Sequence, residues 1–503
     1  MKKHKVWHPI LFAVYSILFL FAHNVSEASF GDLPVPTLLV FSGIVLIWGL
    51  LWVLFRNWQF TGIIVTTIIL AFFTYGHAYN IVLHEHIGSF DIGRHRHLFP
   101  VYALLFLIVS YLAFRSRESL GTLTKILNFT TGVLLVFVIA EISYFHIFSR
   151  PDTKYLTNSY ETSPRDASSK NPDVYYIILD GYASNKTIVD YYETNNDDFE
   201  GYLKDKGFYI SPGSVSNYVH TPVSLSSSMN MEYVNFLADK LGENSVDKTI
   251  PYEMIKNSKA MQFLKARGYS FVLIRSGWGP TDKNTAADVS IKCGSYNEYL
   301  KMMTHTTMLR IFEKWLIFLD RHRDNVRKMF SELKDINRID GPKFVMVHFL
   351  VPHAPFIFGP NGEPRLPENL LLGSRIWLPR QGYIDQIAYI NSQMKLAIDN
   401  ILATSAQTPI IMIQADHGPA SFDKWDDPTD EFLKERFGII NAILLSGVPE
   451  DSLRSVLTPV NNFRLVFNQA FNTNFEILED KCWYSNLPTP YKFTDVTDRV
   501  LGN

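Results

Sequence analysis

Apolar positions along this chain fall into two regimes. Up to about residue 149 they form long runs, and beyond it they come as short runs broken by charge and turn residues. Five of the early runs reach or approach the roughly 20 residues that an α-helix needs to cross a bilayer: Ile10–Ala22, Thr37–Phe55, Thr61–Tyr79, Val101–Phe114 and Ile126–Phe148. The first and fourth have short cores and need their flanks to span. Lys2, Lys3 and Lys5 before the first run, with Ser26-Glu27-Ala28 after it, also fit a cleavable signal peptide. The hydrophobic runs that follow favour an uncleaved helix, so the pattern predicts a five-helix membrane domain over residues 1–149.

From Arg150 to Asn171 the residues are mostly Ser, Thr, Asp, Asn, Lys and Pro, which reads as a juxtamembrane linker. The remainder, 172–503, alternates strand and helix signals. Strands are expected at Val174–Leu179, Phe271–Arg275, Phe344–Leu350, Ile410–Gln414 and Ile439–Leu445, and helices around Glu253–Ala266, Thr307–Leu333 and Ile384–Leu402. The last helix gathers Ile387, Ile390, Met394, Ala397, Ile398 and Ile401 on one broad face. Such alternation implies an α/β domain with a largely parallel sheet covered on both faces, with sites at the strand carboxyl ends.

Basic residues orient the membrane domain. Lys2, Lys3 and Lys5, then Arg56, then Arg115, Arg117 and Lys125 all fall on one side, which makes the amino terminus cytoplasmic and the α/β domain extracytoplasmic. The opposite loops hold Glu27, Asp32 and a His-rich stretch, His84–His97, where Arg94 and Arg96 dissent. A formal net charge of −2 argues against a polyanionic partner, and no nucleic-acid motif is present. Cys293 and Cys482 both lie in the external part. An oxidising compartment permits a bridge between them, but their spacing leaves two separate thiols equally open.

The candidate chemistry sits at strand ends. PIIMIQADHG, Pro409–Gly418, delivers Asp416 and His417 side by side at the tip of a buried strand, a hard oxygen and a borderline nitrogen suited to Zn²⁺ or Mn²⁺, with Gly418 for a sharp turn. VYYIILDGY ends in Asp180. In NYVHTPVSLSSSMNM, Thr221 before Pro222 reads as an N-cap with proline at the first helical position. The same geometry would hold an anion, and a hydroxyl there bound to a divalent cation would become a nucleophile. HFLVPHAPF places His353 on a loop after a strand, able to bind phosphate oxygens or protonate a leaving group. His348, inside that strand, reads as structural, and His220 as at most a pocket wall. The segment Met302–Asp335 mixes apolar and basic residues and fits either a membrane-surface helix or a solvated helix face.

The order LDGY, T-x-x-S-L-x-S-x-M, H-x-x-x-P-H-x-P-F and Q-x-DHG resembles the alkaline phosphatase/sulfatase superfamily. It is most similar to the five-helix membrane branch of lipoteichoic acid synthases, phosphoethanolamine transferases and phosphoglycerol transferases. The resemblance implies Asp180, Thr221, Asp416 and His417 as metal ligands, Thr221 as the nucleophile that becomes phosphorylated, and His353 as a contact to the transferred group. Relatives often hold further histidines soon after DHG. Pro419–Phe437 contains none, which favours one divalent ion. No C/S-x-P-x-R segment is present, so arylsulfatase activity is not expected.

Three functional classes follow. The favoured one is a phosphotransferase that moves a phospholipid-derived phosphoglycerol or phosphoethanolamine headgroup to an envelope glycan or lipid. The second is a phosphodiesterase or phosphatase of the same fold with water as acceptor. The third, a non-catalytic envelope protein, predicts broken ligands, and all four are intact.

Overall fold

A computed structural model describes residues 5–25, 30–82, 86–87, 90–91, 93–117, 119–148, 171–294, 298–315, 318–366, 376–448 and 458–502. Lys2, Lys3, Ser26-Glu27-Ala28, His84 and nearly all of the expected linker lie outside them. The chain divides into two compact units, one from the described residues of 1–151 and 297–316, the other from those of 152–296 and 317–503.

The first unit is helical: α1 (His8–His23), α2 (Pro34–Phe55), α3 (Trp58–Val82), α4 (His95–Arg115) and α5 (Gly121–Phe148). Four of these, α2 to α5, are long and apolar enough to cross a membrane. α1 is apolar but only 16 residues, a rise of about 24 Å, so length and composition support four of the five expected spans. α2 and α4 expose Leu38, Leu46, Leu50, Leu104 and Leu107, an apolar surface suited to lipid. The helix Glu298–Thr306 and the 3₁₀ segment Met308–Trp315 also belong here. The Tyr299 hydroxyl donates to the Ile17 carbonyl (2.9 Å), and the Arg310 guanidinium lies over the Tyr79 ring and bonds the Asn80 side chain. Met302–Asp335 is therefore not one helix.

The second unit is built on a seven-stranded sheet: β1 (Val174–Leu179), β2 (Tyr209–Ile210), β3 (Ser270–Ile274), β4 (Val289–Ile291), β5 (Lys343–Phe349), β6 (Ile410–Gln414) and β7 (Asn441–Leu444). Their spatial order is β2-β7-β6-β1-β5-β3-β4. The strands from β6 to β4 are mutually parallel, and β7 and β2 pair antiparallel at one edge. The short strands β2 and β4, two and three residues long, carry too little pattern to be read from sequence. β1 is VYYIIL, β-branched and aromatic and buried on both faces, as a central parallel strand requires.

The site depends on four further helices, α6 (Thr221–Asn230), α7 (Phe318–Lys334), α8 (Arg380–Thr404) and α9 (Asp430–Phe437). Alternation along β1 sends Tyr175, Ile177 and Leu179 into a core with α7 and α8, and Val174, Tyr176 and Ile178 into a second core with α6. The helix expected over Glu253–Ala266 is two, Thr249–Lys256 and Lys259–Ala266, separated at Asn257-Ser258. Both cysteines stand as free thiols.

The packing of α8 makes a simple stability test. Ile398 is fully buried in the sheet core, whereas Leu396, two residues earlier, is 52% exposed. Ile398→Ala should cost about 2–5 kcal/mol and Leu396→Ala under about 0.5 kcal/mol, read from denaturation of the full chain in detergent. Equal losses would show that α8 does not pack as described.

Candidate metal centre

Strand pairing brings three chemically active side chains together. Ile178 of β1 is the Cα partner of His348 on β5 and of Gln414 on β6. Side chains alternate with a period of two, so Asp180, His348 and Asp416 all leave the sheet on the same face at its carboxyl edge. One oxygen from each carboxylate and one ring nitrogen of His348 lie within 4.8 Å of one another, and all three residues are buried. His348 Nε2 is 3.5 Å from Asp180 Oδ2. The expectation that His348 is merely structural overlooked this phase relation.

His417 completes the rim. Its Nε2 lies 3.3 Å from Asp416 Oδ2 and 3.8 Å from Asp180 Oδ1. Nδ1 faces the Gly418 carbonyl at 3.0 Å, which can only accept, so Nδ1 carries the proton and Nε2 presents its lone pair inward. Burial, then the charge of Arg436, pushes the His417 imidazole well below its ordinary value and keeps it neutral. His348 is set the same way. Thr281 donates its hydroxyl hydrogen to the Trp278 carbonyl and receives His348 Nδ1–H at 3.0 Å, turning Nε2 toward Asp180.

Thr221 is the first residue of α6, with His220 rather than Thr221 at the cap position. No side chain caps this helix. The Thr221 hydroxyl donates instead to His417 Nε2 at 3.2 Å, so the capping role expected from sequence is not the one it fills. Ser224, one turn on, donates to the Asp416 carbonyl at 2.7 Å and holds α6 against the end of β6. His353 sits on the loop after β5; its backbone N–H donates to the Asp180 carbonyl at 2.8 Å. Its ring lies 6.1 Å from that of His417 and 4.7 Å from Trp377, centroid to centroid. His220 is half-buried, stacks on Trp425 and bonds the carbonyls of Ser485 and Asn486 at 3.1 and 3.2 Å, a structural role.

Gly418 serves a purpose other than a sharp turn. A Cβ there would collide with the carbonyl oxygens of Glu435 and Gly438 at the end of α9. α9 also supplies Arg436, which sequence reasoning missed. Its buried guanidinium bonds the Val219 carbonyl through Nε (3.1 Å) and Nη2 (2.5 Å) and the Gly418 carbonyl through Nη1 (2.7 Å). It thus clamps the segment before Thr221 to the turn after His417. Burial pushes this group down to about 10, against the opposing pull of Asp416 and Asp180, so it remains a cation beside the site.

The two carboxylates behave as a pair. Burial and then the charge of Asp180 push Asp416 up to about 7. Burial alone would raise Asp180 too, but the His353, His348 and His417 rings hold it well below the usual range. Asp180 Oδ1, Asp416 Oδ2 and His348 Nε2 are buried without a hydrogen-bond partner. Orphaned buried acceptors are costly, and two carboxylates beside inward-facing imidazole lone pairs are the donor set of a divalent transition-metal ion. The residues present fit such an ion.

No family model and no curated protein matches this sequence. Among solved structures, the chain is similar to the C-terminal periplasmic domain of EptC from Escherichia coli at 14% identity and TM-score 0.43, covering 66% of this chain and 94% of that one. It is similar to the periplasmic domain of phosphoethanolamine transferase EptC from Campylobacter jejuni at 13% and 0.39, covering 61% and 92%. A third is the integral membrane lipooligosaccharide phosphoethanolamine transferase A from Neisseria meningitidis, at 12% and 0.42, covering 92% and 95%.

Zn²⁺ or Mn²⁺ added to metal-stripped protein should raise its unfolding midpoint, because the ion binds the native cluster and not the unfolded chain. Asp416→Asn should abolish that rise, and His348→Ala should weaken the affinity at least about tenfold. An unchanged affinity in His348→Ala would remove His348 from the site.

Proposed function

We propose that the protein is a metal-dependent phosphotransferase that moves a phosphoglycerol or phosphoethanolamine headgroup from a membrane phospholipid to an envelope glycan or lipid. One observation carries this reading: a nucleophilic hydroxyl, Thr221, opens α6 within hydrogen-bond reach of a buried two-carboxylate, two-imidazole cluster. In this reading Asp180, Asp416, His417 and Thr221 hold one divalent ion, Zn²⁺ or Mn²⁺, and His348 joins them. When bound, the ion would lower the pKa of the Thr221 hydroxyl and offset charge on the phosphoryl oxygens.

The chain's own residues supply the rest. Thr221 Oγ1, having released its hydroxyl proton to solvent on ionising, forms a bond to phosphorus, the bond from phosphorus to the diacylglycerol oxygen breaks, and a proton from His353 goes to that oxygen. The headgroup phosphate is then esterified to Thr221. An acceptor hydroxyl attacks the same phosphorus, gives its proton to His353, and Thr221 leaves with its oxygen. Pro222 has no N–H and the Val223 and Ser224 N–H groups donate to the His220 carbonyl, so the start of α6 offers the anion the positive end of its dipole rather than a row of free N–H groups. Arg436 keeps the Thr221 segment and the His417 turn in register through Val219 and Gly418. A five-helix anchor over 1–149 with a cytoplasmic amino terminus, a linker over 150–171 and an extracytoplasmic catalytic domain over 172–503, less the segment 297–316 that belongs to the helical unit, would keep this site near its lipid donor.

Thr221→Ala should lower turnover of labelled phosphatidylglycerol or phosphatidylethanolamine at least about 10³-fold while the unfolding midpoint holds. In the wild-type chain, mass spectrometry of the Thr221 peptide after turnover should show the headgroup phosphate as an adduct. Label appearing in an envelope glycan or lipid marks a transferase. Soluble headgroup phosphate alone would mark a hydrolase, and full activity in Thr221→Ala would sink the mechanism.

A further inference from the structure

A second site lies in the helical unit and shares no residue with the metal cluster. The start of α1 meets the turn between α2 and α3 around a cavity of about 620 Å³, walled in part by Lys5, Trp7, Trp48, Arg56 and Trp58. That volume is of the size that holds a small ligand. The walls are fixed before any ligand arrives. The Asn128 side chain of α5 donates to the Lys5 carbonyl (2.8 Å) and accepts from the Trp7 and His8 N–H groups (3.0 and 2.8 Å). Trp58 stacks on Trp52 at 5.1 Å and meets Trp48 edge-on at 5.6 Å, while the Arg56 guanidinium lies 5.0 Å from the Trp52 ring.

The charge here is one-sided. Two cations reach the cavity, no carboxylate is among its walls, and among the described residues neither Lys5 nor Arg56 has an acidic partner. The position is equally specific. α2 ends at Phe55 and α3 begins at Trp58, so the connecting turn marks the water boundary of two membrane-spanning helices. Trp7 and Trp58 are each 52% exposed there. Tryptophan favours the headgroup level of a bilayer, and basic groups at that level attract anionic lipid. Lysine and arginine beside a phosphate form charge-assisted hydrogen bonds.

We propose that this cavity seats the phosphodiester headgroup of an anionic phospholipid, with Lys5 and Arg56 on the phosphate and the tryptophans against the glycerol backbone. The site binds the lipid and performs no chemistry on it.

The test is native mass spectrometry of the full chain released from nanodiscs holding equal phosphatidylglycerol and phosphatidylcholine. The wild-type chain should retain phosphatidylglycerol selectively. Lys5→Gln/Arg56→Gln should lower that retention about tenfold, and Lys125→Gln, an exposed cation outside the cavity, should leave it unchanged. Absence of lipid preference, or equal loss in Lys125→Gln, would reduce the effect to diffuse surface attraction and overturn the proposal. So would retention unaltered by the double substitution. Displacement by soluble glycerophosphoglycerol would reassign the site to a free phosphodiester. The unfolding midpoint of each variant checks that the altered positions, both at the surface, leave the fold intact.

Discussion

Two carboxylates buried in the same small volume are the constraint on which the α/β unit depends. β1 lies between β5 and β6 in parallel register, so residues two beyond Ile178 and Gln414, and the residue opposite Ile178, share one face. That arithmetic places Asp180, Asp416 and His348 together whatever the rest of the unit does. Buried like charges repel, and one of them responds by holding its proton: Asp416 is pushed up to about 7 by burial and by Asp180. The surroundings then supply what burial removes. The His353 ring helps to hold Asp180 ionised, and the Gly181 N–H donates to Asp416 Oδ1 at 3.1 Å. The remaining orphaned oxygens point into the cluster, where a cation would satisfy both at once.

Positive charge is placed on the other side with equal care. Arg436 contributes a buried cation without bonding either carboxylate; its hydrogen bonds go to backbone carbonyls. It therefore neutralises the site at a distance while fixing the two segments that carry Thr221 and His417. The same carbonyl of Gly418 accepts from Arg436 and from His417 Nδ1. One backbone oxygen thus sets the tautomer of His417 and the position of a cation. Glycine at 418 permits this because the chain runs against the carbonyls of Glu435 and Gly438, where a side chain has no room.

Much of this was readable in the sequence. The strands that carry Asp180 and Asp416 have their expected bounds, since continuous β-branched and aromatic runs ending in Asp are a strong local signal. Thr221 and His353 lie beside the cluster, as the motifs suggested. His348 was the avoidable miss. Its position is even along β5, in phase with the buried Phe344 and Met346, and that parity alone sends it toward Asp180 once β5 is placed beside β1. Strand order was the missing quantity, and no single strand encodes it. Arg436 was not avoidable: an arginine in DEFLKERF reads as one more charge on a solvated helix. Its burial depends on α9 closing over the DHG turn, a contact between segments distant from Thr221 in the chain.

The segment 298–315 shows the same limit on a larger scale. Composition drops sharply after residue 149, and a boundary drawn there assumes that the chain leaves the helical unit once. It returns, through a short helix and a 3₁₀ turn, before α7 rejoins the sheet. Nothing in its hydropathy demands this, because the segment is held by specific polar contacts. A tyrosine hydroxyl meets the Ile17 carbonyl, and an arginine packs over Tyr79. Gly76 of α3 lets the backbone of His305 and Thr306 approach so closely that any Cβ would clash. A glycine within an apolar helix is ordinarily a small loss of helix stability. Here it is the contact point for a part of the chain more than 200 residues away, and that pairing explains both the glycine and the return of the segment.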